Sequence, residues 1–479
     1  MYNGIKEQTL SGFKWNALGH FFPHAIRLII SLIIARQLEP EDYGVIGMLA
    51  IFMALAQAFV DGGFGNGLIR KIDRTNIDSS TVFFFNIAIA CILYLILFFS
   101  APYIAGFFKM PVLTDVTRLL SLTIIINSIG LVPRALLSIA VDFKPQAYAS
   151  VISVIFSGVV GICLALVGFG VWALVWQSLV SASVSLIVIW IYAKWKPKLV
   201  YSWNSFMVLF SYGSKLLASR LINTLYSHLS SLIIGKYYSP ADLGFYDKGY
   251  KIASLPSLRL SDALHAVTFP ILAKLQDDDK RLLSAYHKYL ALTSLVIFFI
   301  MTLLAVISKP LILLLLTEKW LGVVPFLQVF CFAFMFDSIC RLNNNLLFVK
   351  GWSGLFLKLE IIKKAIIIPV LLFAIPLGVI AISFVALVHT FVDITCSTVC
   401  INKNLDVSFR DYLILVKYFL LSALSCAPAL LVCNVAISPW LSLPIGILLS
   451  ITLYYFFLHK DENMREVIQT MVSMMRVKR

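Results

Sequence analysis

Six cationic side chains lie inside long apolar stretches of the sequence, where a charge is energetically expensive. They are Arg27, Lys215, Arg220, Lys248, Lys251 and Arg259. Each charge at the centre of a bilayer costs about 2.5–3.5 kcal/mol on insertion scales, so these groups must pair, reach the membrane surface or face water. On the wall of a water-filled cavity they would suit an anionic group such as a diphosphate or an acidic sugar. The alternative is a structural network between helices, with Lys248 or Lys251 reaching the outer membrane face.

Helical geometry groups several of these cations with other polar residues. At 100° per residue, two sets each share one helix face. The first set is Lys248, Lys251, Arg259 and Asp262, and the second is His20, His24 and Arg27. A polar stripe along a spanning helix indicates a cavity wall. We therefore predict that the six cations, together with His20 and His24, contribute to a substrate-binding cavity.

Two pairs of residues with helical spacing carry further chemistry. His389 and Asp393 are four residues apart within an apolar stretch. With Asp262, they are candidates for a proton or Na⁺ coupling site, although a hydrogen-bonded contact between helices is the alternative. Asp337 and Arg341 have the same spacing, which predicts an ion pair on a helix surface.

Signatures of catalysis or of a bound cofactor are absent from the sequence. There is no G-x-x-x-x-G-K-[ST] loop and no H-E-x-x-H motif, so neither a nucleotide cofactor nor a metal is predicted. The glycine cluster at 62–67 follows an apolar helix instead of a strand, which excludes a dinucleotide fingerprint. The eight cysteines lie in apolar stretches without a C-x-x-C pair and are expected to be buried thiols. The sequence therefore predicts a protein without enzymatic activity.

The composition identifies an all-α polytopic membrane protein. The 479 residues are 60% hydrophobic and 13% charged, with a mean hydropathy of +0.92, whereas soluble domains are about 45–50% apolar and about 25% charged. A soluble enzyme and a disordered chain are both excluded. Apolar stretches long enough to span a bilayer predict about fourteen helices. They cover 13–35, 44–68, 80–105, 118–140, 147–168, 171–193, 206–234, 244–272, 285–308, 322–347, 356–375, 378–400, 412–436 and 440–458.

The distribution of basic residues orients these helices. Of the 39 Lys and Arg residues, 27 are assigned to the side of the N-terminus, six to the opposite side, and the six cations named above to the interior of predicted spans. The positive-inside rule then places both termini in the cytoplasm. Because the basic charge follows one membrane face, the net charge of +15 does not indicate nucleic-acid binding.

An internal repeat divides the chain into similar halves. Residues 31–44 and 231–244 are identical at seven of fourteen positions, including a proline, an aspartate and a glycine. This offset of 200 residues makes His20 equivalent to Arg220. Six predicted helices separate the copies, so the halves are parallel repeats related by an axis along the membrane normal. We predict an N-terminal lobe at 1–200, a second lobe at 201–400, and at 401–479 a terminal helix pair with a basic cytoplasmic tail.

Three segments give the chain a family resemblance. They read RQLEPEDYG at 36–44, VDGGFGNGLIRK at 60–71 and FPILAKLQD at 269–277. In this order the chain resembles the polysaccharide exporters of the multidrug/oligosaccharidyl-lipid/polysaccharide flippase superfamily. The resemblance is greatest to the Wzx type and, within it, to the colanic-acid-exporter-like branch.

This resemblance implies a function at the bacterial inner membrane. Polyprenyl-diphosphate-linked oligosaccharide units would be flipped from the cytoplasmic to the periplasmic leaflet for surface polysaccharide synthesis. Two lobes would form a V-shaped, MATE-like transporter with alternating access, working beside a polysaccharide polymerase and a co-polymerase. The alternatives are a lipid II flippase, a cation-coupled MATE-type drug antiporter, whose cavity should expose acidic residues, and a membrane glycosyltransferase or polymerase, which usually needs a large loop.

Overall fold

The computed structural model describes residues 22–405, 407, 409–434, 438–461 and 463–465, and regular structure in these ranges is entirely helical. The first helices are α1 (22–37), α2 (Pro40–Asp61), α3 (Phe64–Arg70), α4 (Asn76–Phe108), α5 (Leu113–Leu120), α6 (Leu122–Ile139), α7 (Lys144–Leu166), α8 (Val171–Tyr192) and α9 (Trp203–Tyr237). The later ones are α10 (Pro240–Lys274), α11 (Asp279–Val306), α12 (Ser308–Leu315), α13 (Val323–Val349), α14 (Ser353–Ala374), α15 (Val379–Asn402), α16 (Leu413–Asn434) and α17 (Pro439–Leu458).

Within the described residues, ten helical segments are long and apolar enough to cross a membrane. The prediction of an all-α polytopic membrane protein is therefore confirmed. Of the remaining long helices, α9 and α10 carry polar residues along their length, and α14 contains Lys358, Glu360, Lys363 and Lys364. The count of fourteen spanning helices stays a prediction.

Glycine and proline, the residues that most often interrupt helices, form two tight helix joints. Helix α7 ends at Leu166 and α8 begins at Val171, with Gly168 at φ 87° and Gly170 at φ 53° between them. Helix α14 continues through a 3₁₀ turn at Ile375–Leu377 to Gly378, whose φ is 104°. Glycine is the residue that adopts these left-handed conformations without a steric penalty. Each joint therefore links an antiparallel pair of helices.

The chain forms two compact units, Met1–Gly244 and Phe245–Arg479, referred to below as unit 1 and unit 2. In unit 1, α7 packs on α8, α2 on α9, and α4 on α6; in unit 2, α13 packs on α11 and α15. The terminal helices α16 and α17 pack on each other, and α16 also packs on α11. The lobe boundaries predicted from the repeat stay predictions, because a repeat boundary and a packing boundary need not coincide.

The repeated segments form two similar helix corners. Pro40 and Pro240 are the first residues of α2 and α10. Proline is tolerated there because an N–H at the first position of a helix has no acceptor within the helix. The aspartate two residues later accepts a hydrogen bond from the backbone N–H before the proline in both copies. Asp42 accepts from Glu39 at 3.0 Å, and Asp242 accepts from Ser239 at 3.2 Å. The repeated proline and aspartate are therefore explained by how these two helices begin.

The repeated glycines explain how the two corners contact each other. A Cβ atom added to Gly44 would overlap the carbonyl oxygen of Pro240, and one added to Gly244 would overlap that of Pro40. The contact is reciprocal, because the glycine of each corner packs against the proline of the other corner. Backbone approaches this close are possible only without a side chain, so both positions require glycine.

Candidate functional site

A cavity of unit 1 with a volume of about 780 Å³ lies among α1, α2, α6, α7 and α8. We call it the serine cavity, because hydroxyl and amide groups dominate its polar lining. These polar residues are Ser31, Tyr43, Thr123, Asn127, Gln146, Ser150, Ser153, Ser157, Gln177, Ser178, Ser181 and Ser185. The volume falls in the range of about 300–1,000 Å³ that is typical of ligand sites. Such a lining supplies many hydrogen-bond donors and acceptors.

Arg27 and Arg134 are the charged residues of this lining, and no Asp or Glu belongs to it. In the part of the chain that the structure describes, neither guanidinium forms a salt bridge. Arg134 is partly buried, and its Nη2 donates to Ser185 Oγ at 3.2 Å. Since arginine stays protonated in proteins, the lining of the serine cavity carries two positive charges and no carboxylate.

Arg134 is held in place by its surroundings on α6 and α7. Its guanidinium lies over the preceding turn, where a Cβ on Gly130 would come within 3.5 Å of the arginine Cζ. Gln146 Nε2 donates to the Arg134 carbonyl oxygen at 3.2 Å and to Ser138 Oγ at 2.9 Å. The glycine provides room for the charged group, and the glutamine links α7 to the end of α6.

Several of the cavity serines are already hydrogen-bonded to their own helices. Ser153 Oγ donates to the Ser150 carbonyl at 3.1 Å, Ser157 Oγ to Val154 at 3.3 Å, and Ser178 Oγ to Leu174 at 2.9 Å. A hydroxyl that donates in this way keeps two acceptor lone pairs. These side chains can therefore accept hydrogen bonds from a ligand. In an empty cavity their hydroxyl donors are still satisfied by the helix backbone.

A second cavity of unit 1, of about 600 Å³, lies between α2 and α9; we call it the α9 cavity. Arg220 lines it, and its Nη2 lies 2.8 Å from Asp61 Oδ2. Gln57 Nε2 donates to the other carboxylate oxygen of Asp61 at 2.9 Å, and Asn127 Nδ2 donates to Gln57 Oε1 at 3.3 Å. Because Asn127 also lines the serine cavity, a chain of polar contacts connects the two cavities.

The structure separates the predicted cavity residues of unit 1. Arg27 lines the serine cavity and Arg220 the α9 cavity. His24 is exposed on α1. His20 and the Lys215 side chain lie outside the described part of the chain. Whether these residues hold one substrate group stays a prediction.

The predicted residues of α10 differ in their burial. Lys248 is buried at 6% exposure, with its Nζ 5.4 Å from the centre of the Trp320 ring. Lys251, Arg259 and Asp262 are exposed, and Asp262 Oδ1 lies 3.8 Å from Arg341 Nη1. The predicted ion pair of Asp337 and Arg341 is confirmed, with 2.9 Å between Asp337 Oδ2 and Arg341 Nε.

Asp393 has a charged partner that sequence reasoning missed. Lys363 Nζ lies 2.9 Å from Asp393 Oδ1 and also pairs with Glu360. The Lys363 side chain is only 2% exposed. His389 is partly buried one helical turn before Asp393. Ion coupling through Asp393, His389 and Asp262 stays a prediction. Asp393 also has a structural role, because it pairs with the buried Lys363.

Arg134 and Lys363 both lie inside predicted spans, 118–140 and 356–375, and could have been counted with the intramembrane cations. Their position inside the spans was the signal that could have identified both.

Comparison with known proteins gives consistent results. A family model described as "Polysaccharide biosynthesis protein" matches residues 33–325. The chain is 24% identical over 418 residues to the lipopolysaccharide biosynthesis protein WzxC of Escherichia coli, covering 86% of this chain and 84% of that protein. It is 26% identical over 353 residues to the teichuronic acid biosynthesis protein TuaB of Bacillus subtilis, covering 73% of each.

Solved structures show the fold. An inward closed lipid II flippase MurJ superposes with a TM-score of 0.75 at 15% identity, covering 93% of this chain and 98% of that one. An inward-facing multidrug resistance MATE family transporter gives a TM-score of 0.60 at 16% identity, covering 82% and 98%. The chain therefore has the fold of these membrane transporters.

Proposed function

Because the chain belongs to the polysaccharide biosynthesis protein family, as a multi-pass membrane protein of the Wzx flippase type, we propose that it moves lipid-linked oligosaccharides across a membrane. Its cargo is a polyprenyl-diphosphate-linked repeat unit, carried from the cytoplasmic to the periplasmic leaflet of a bacterial inner membrane by alternating access. The transported unit serves the synthesis of O-antigen, capsule or exopolysaccharide. No covalent change of the sugar is part of this function, and a polymerase and a co-polymerase receive the product.

The lining of the serine cavity carries this proposal. It combines hydroxyl and amide groups, which suit the hydroxyls of a sugar, with two arginines and no carboxylate. Guanidinium groups bind phosphate and carboxylate through paired N–H donors. A drug antiporter that attracts cationic substrates is expected to expose acidic residues instead. A lipid II flippase shares the diphosphate chemistry, but the relatives named for lipopolysaccharide and teichuronic acid favour a polysaccharide precursor.

The cationic residues of unit 1 and α10 should be required for export. We expect Arg27→Gln, Arg220→Gln and Arg259→Gln each to lower export strongly, since each removes a contact of about 1.5–3 kcal/mol with an anionic group. Lysine at these positions should restore only part of the activity, because it keeps the charge and loses the planar fork. The measurement is complementation of a flippase-null strain, with protein levels in the membrane determined alongside.

One control and one further variant complete this experiment. Arg281→Gln removes an arginine that is 77% exposed and outside both unit 1 cavities, and it should export normally. Arg134→Gln tests the arginine that the structure adds to the set. If the Arg27, Arg220 and Arg259 variants all accumulate and export normally, these arginines are structural and the cationic-cavity proposal is wrong.

The orientation of the chain is a separate prediction. The distribution of basic residues predicts fourteen spans with both termini in the cytoplasm. A reporter fused after Arg479 should then show cytoplasmic behaviour, and one inserted between α4 and α5 should show periplasmic behaviour. Since α5 begins at Leu113, the insertion belongs at 109–112. A periplasmic C-terminus would contradict the even number of spans.

A further inference from the structure

The ion pair between Arg220 and Asp61 joins α9 to the last residue of α2. Arg220 Nη2 and Asp61 Oδ2 are 2.8 Å apart. The second oxygen of the carboxylate accepts a hydrogen bond from Gln57 Nε2 at 2.9 Å. Both oxygens of Asp61 are therefore engaged, and Gln57 fixes the carboxylate in the orientation that meets the guanidinium.

Arg220, one member of this pair, lines the α9 cavity. The Arg220 side chain is 56% exposed and that of Asp61 is 27% exposed. The neighbouring lining of the α9 cavity includes the uncharged polar residues Asn66, Asn223 and Ser227. A guanidinium has five N–H donors, more than the two that a carboxylate accepts in a paired contact. Arg220 can consequently meet an anion that enters the cavity.

The position of Asp61 at the end of α2 makes the guanidinium of Arg220 a favourable partner for its carboxylate. Asp61 is the last residue of α2, and Gly62 follows in the left-handed conformation. Carboxylates are disfavoured at helix C-termini, where the backbone carbonyls carry partial negative charge. An anion that approaches Arg220 would be repelled by Asp61 and would also deprive it of its partner. When that anion leaves, the pair with Asp61 can form again.

We propose that Asp61 is the carboxylate which the anionic group of the substrate must displace from Arg220, so that Asp61 weakens binding and speeds release. This rests on the proposed function, because it requires that Arg220 contacts the diphosphate or an acidic sugar of the cargo. Asp61 acts through Arg220 and is a positioning residue. A transporter must release its cargo after every passage, and an internal competitor for the anion serves that step.

The test uses the full-length protein in proteoliposomes with a polyprenyl-diphosphate-linked oligosaccharide. Asp61→Asn keeps the size of the side chain and can still accept from Gln57, but it removes the competing charge. We expect KM and kcat both to fall by about two- to fivefold, the size of effect that a partly exposed charge pair produces. In an Arg220→Gln background, Asp61→Asn should change neither constant further.

A matched control is available in unit 2. Asp278 pairs with Arg281 at 3.3 Å on the surface and begins α11 as its N-cap. Asparagine is an equally good N-cap, so Asp278→Asn removes a similar ion pair with little effect on folding. Both kinetic constants should remain unchanged in this variant.

The outcomes separate the alternatives. A higher KM in Asp61→Asn, or unchanged constants, would overturn the proposal and make the pair a structural link between α2 and α9. If Asp61→Asn does not accumulate, Asp61→Ser removes the same charge with less volume, and the same two constants decide. A wild-type protein that moves no lipid-linked oligosaccharide would overturn the proposed function itself, and this inference with it.

Discussion

Alanine at Gly44 or Gly244 is expected to destabilise the protein and to lower export by about tenfold or more. In each case the added methyl would overlap a backbone carbonyl oxygen of the opposite corner. Backbone atoms cannot move aside as a side chain rotamer can, so the two corners must separate. Overpacking of this kind costs about 1–3 kcal/mol. Thermal unfolding in detergent and export in a null strain would measure the two effects.

The reciprocal geometry gives this prediction a sharper form. The first methyl already separates the corners, so the double variant should lose little more than either single variant, which is the non-additivity expected of residues in one contact. Gly106→Ala is the matched control, because α4 has open space there and alanine favours a helix by about 1 kcal/mol over glycine. Additive losses, or equal losses in the control, would show that the corner contact does not limit stability.

Replacing Lys363 with methionine is expected to destabilise unit 2 by about 3–5 kcal/mol, because it leaves Asp393 buried without its partner. Replacing both residues, as in Lys363→Met with Asp393→Asn, should recover most of that loss, since a pair of neutral residues leaves no isolated charge. Lys417→Met is the surface control. It breaks a 2.6 Å pair with Asp461 in which the lysine side chain is 52% exposed, and should cost less than about 1 kcal/mol.

The same variants test whether Asp393 couples transport to an ion. If Asp393 senses protons or Na⁺ with His389, then Asp393→Asn should change the pH or Na⁺ dependence of export while the protein still inserts. If its role is to neutralise Lys363, the dependence should stay as in the wild type and only stability should fall. Export measured across pH and Na⁺ concentration, with unfolding of the same samples, distinguishes the two roles.

Features set by local sequence were predictable. Glycine and proline defined the helix joints around Gly168 and Gly378, and the helical spacing of Asp337 and Arg341 predicted their ion pair. The helical class followed from hydropathy alone. Each of these depends on residues within one turn or one apolar run, where backbone sterics and burial decide the outcome.

Contacts between helices were harder to predict. Lys363 and Asp393 lie at equal distances in sequence before and after Gly378, so the antiparallel joint could have suggested that they meet. The bond from Arg134 to Ser185 joins α6 to α8, which are not consecutive. It depends on how those helices pack, and no periodicity of the sequence encodes that. The pair of Arg220 and Asp61 has the same origin.

The serines that donate to carbonyls of their own helices have a consequence for the speed of transport. On the proposed path of the cargo through the serine cavity, the hydroxyls of Ser153, Ser157 and Ser178 could each rotate from a backbone acceptor to the sugar and back. The number of hydrogen bonds then hardly changes along the path, so the energy profile is shallow and contains no deep trap. Alanine at these three positions should accordingly cost little affinity. Aspartate has no hydroxyl donor to move between the two acceptors, and its negative charge would repel an anionic cargo.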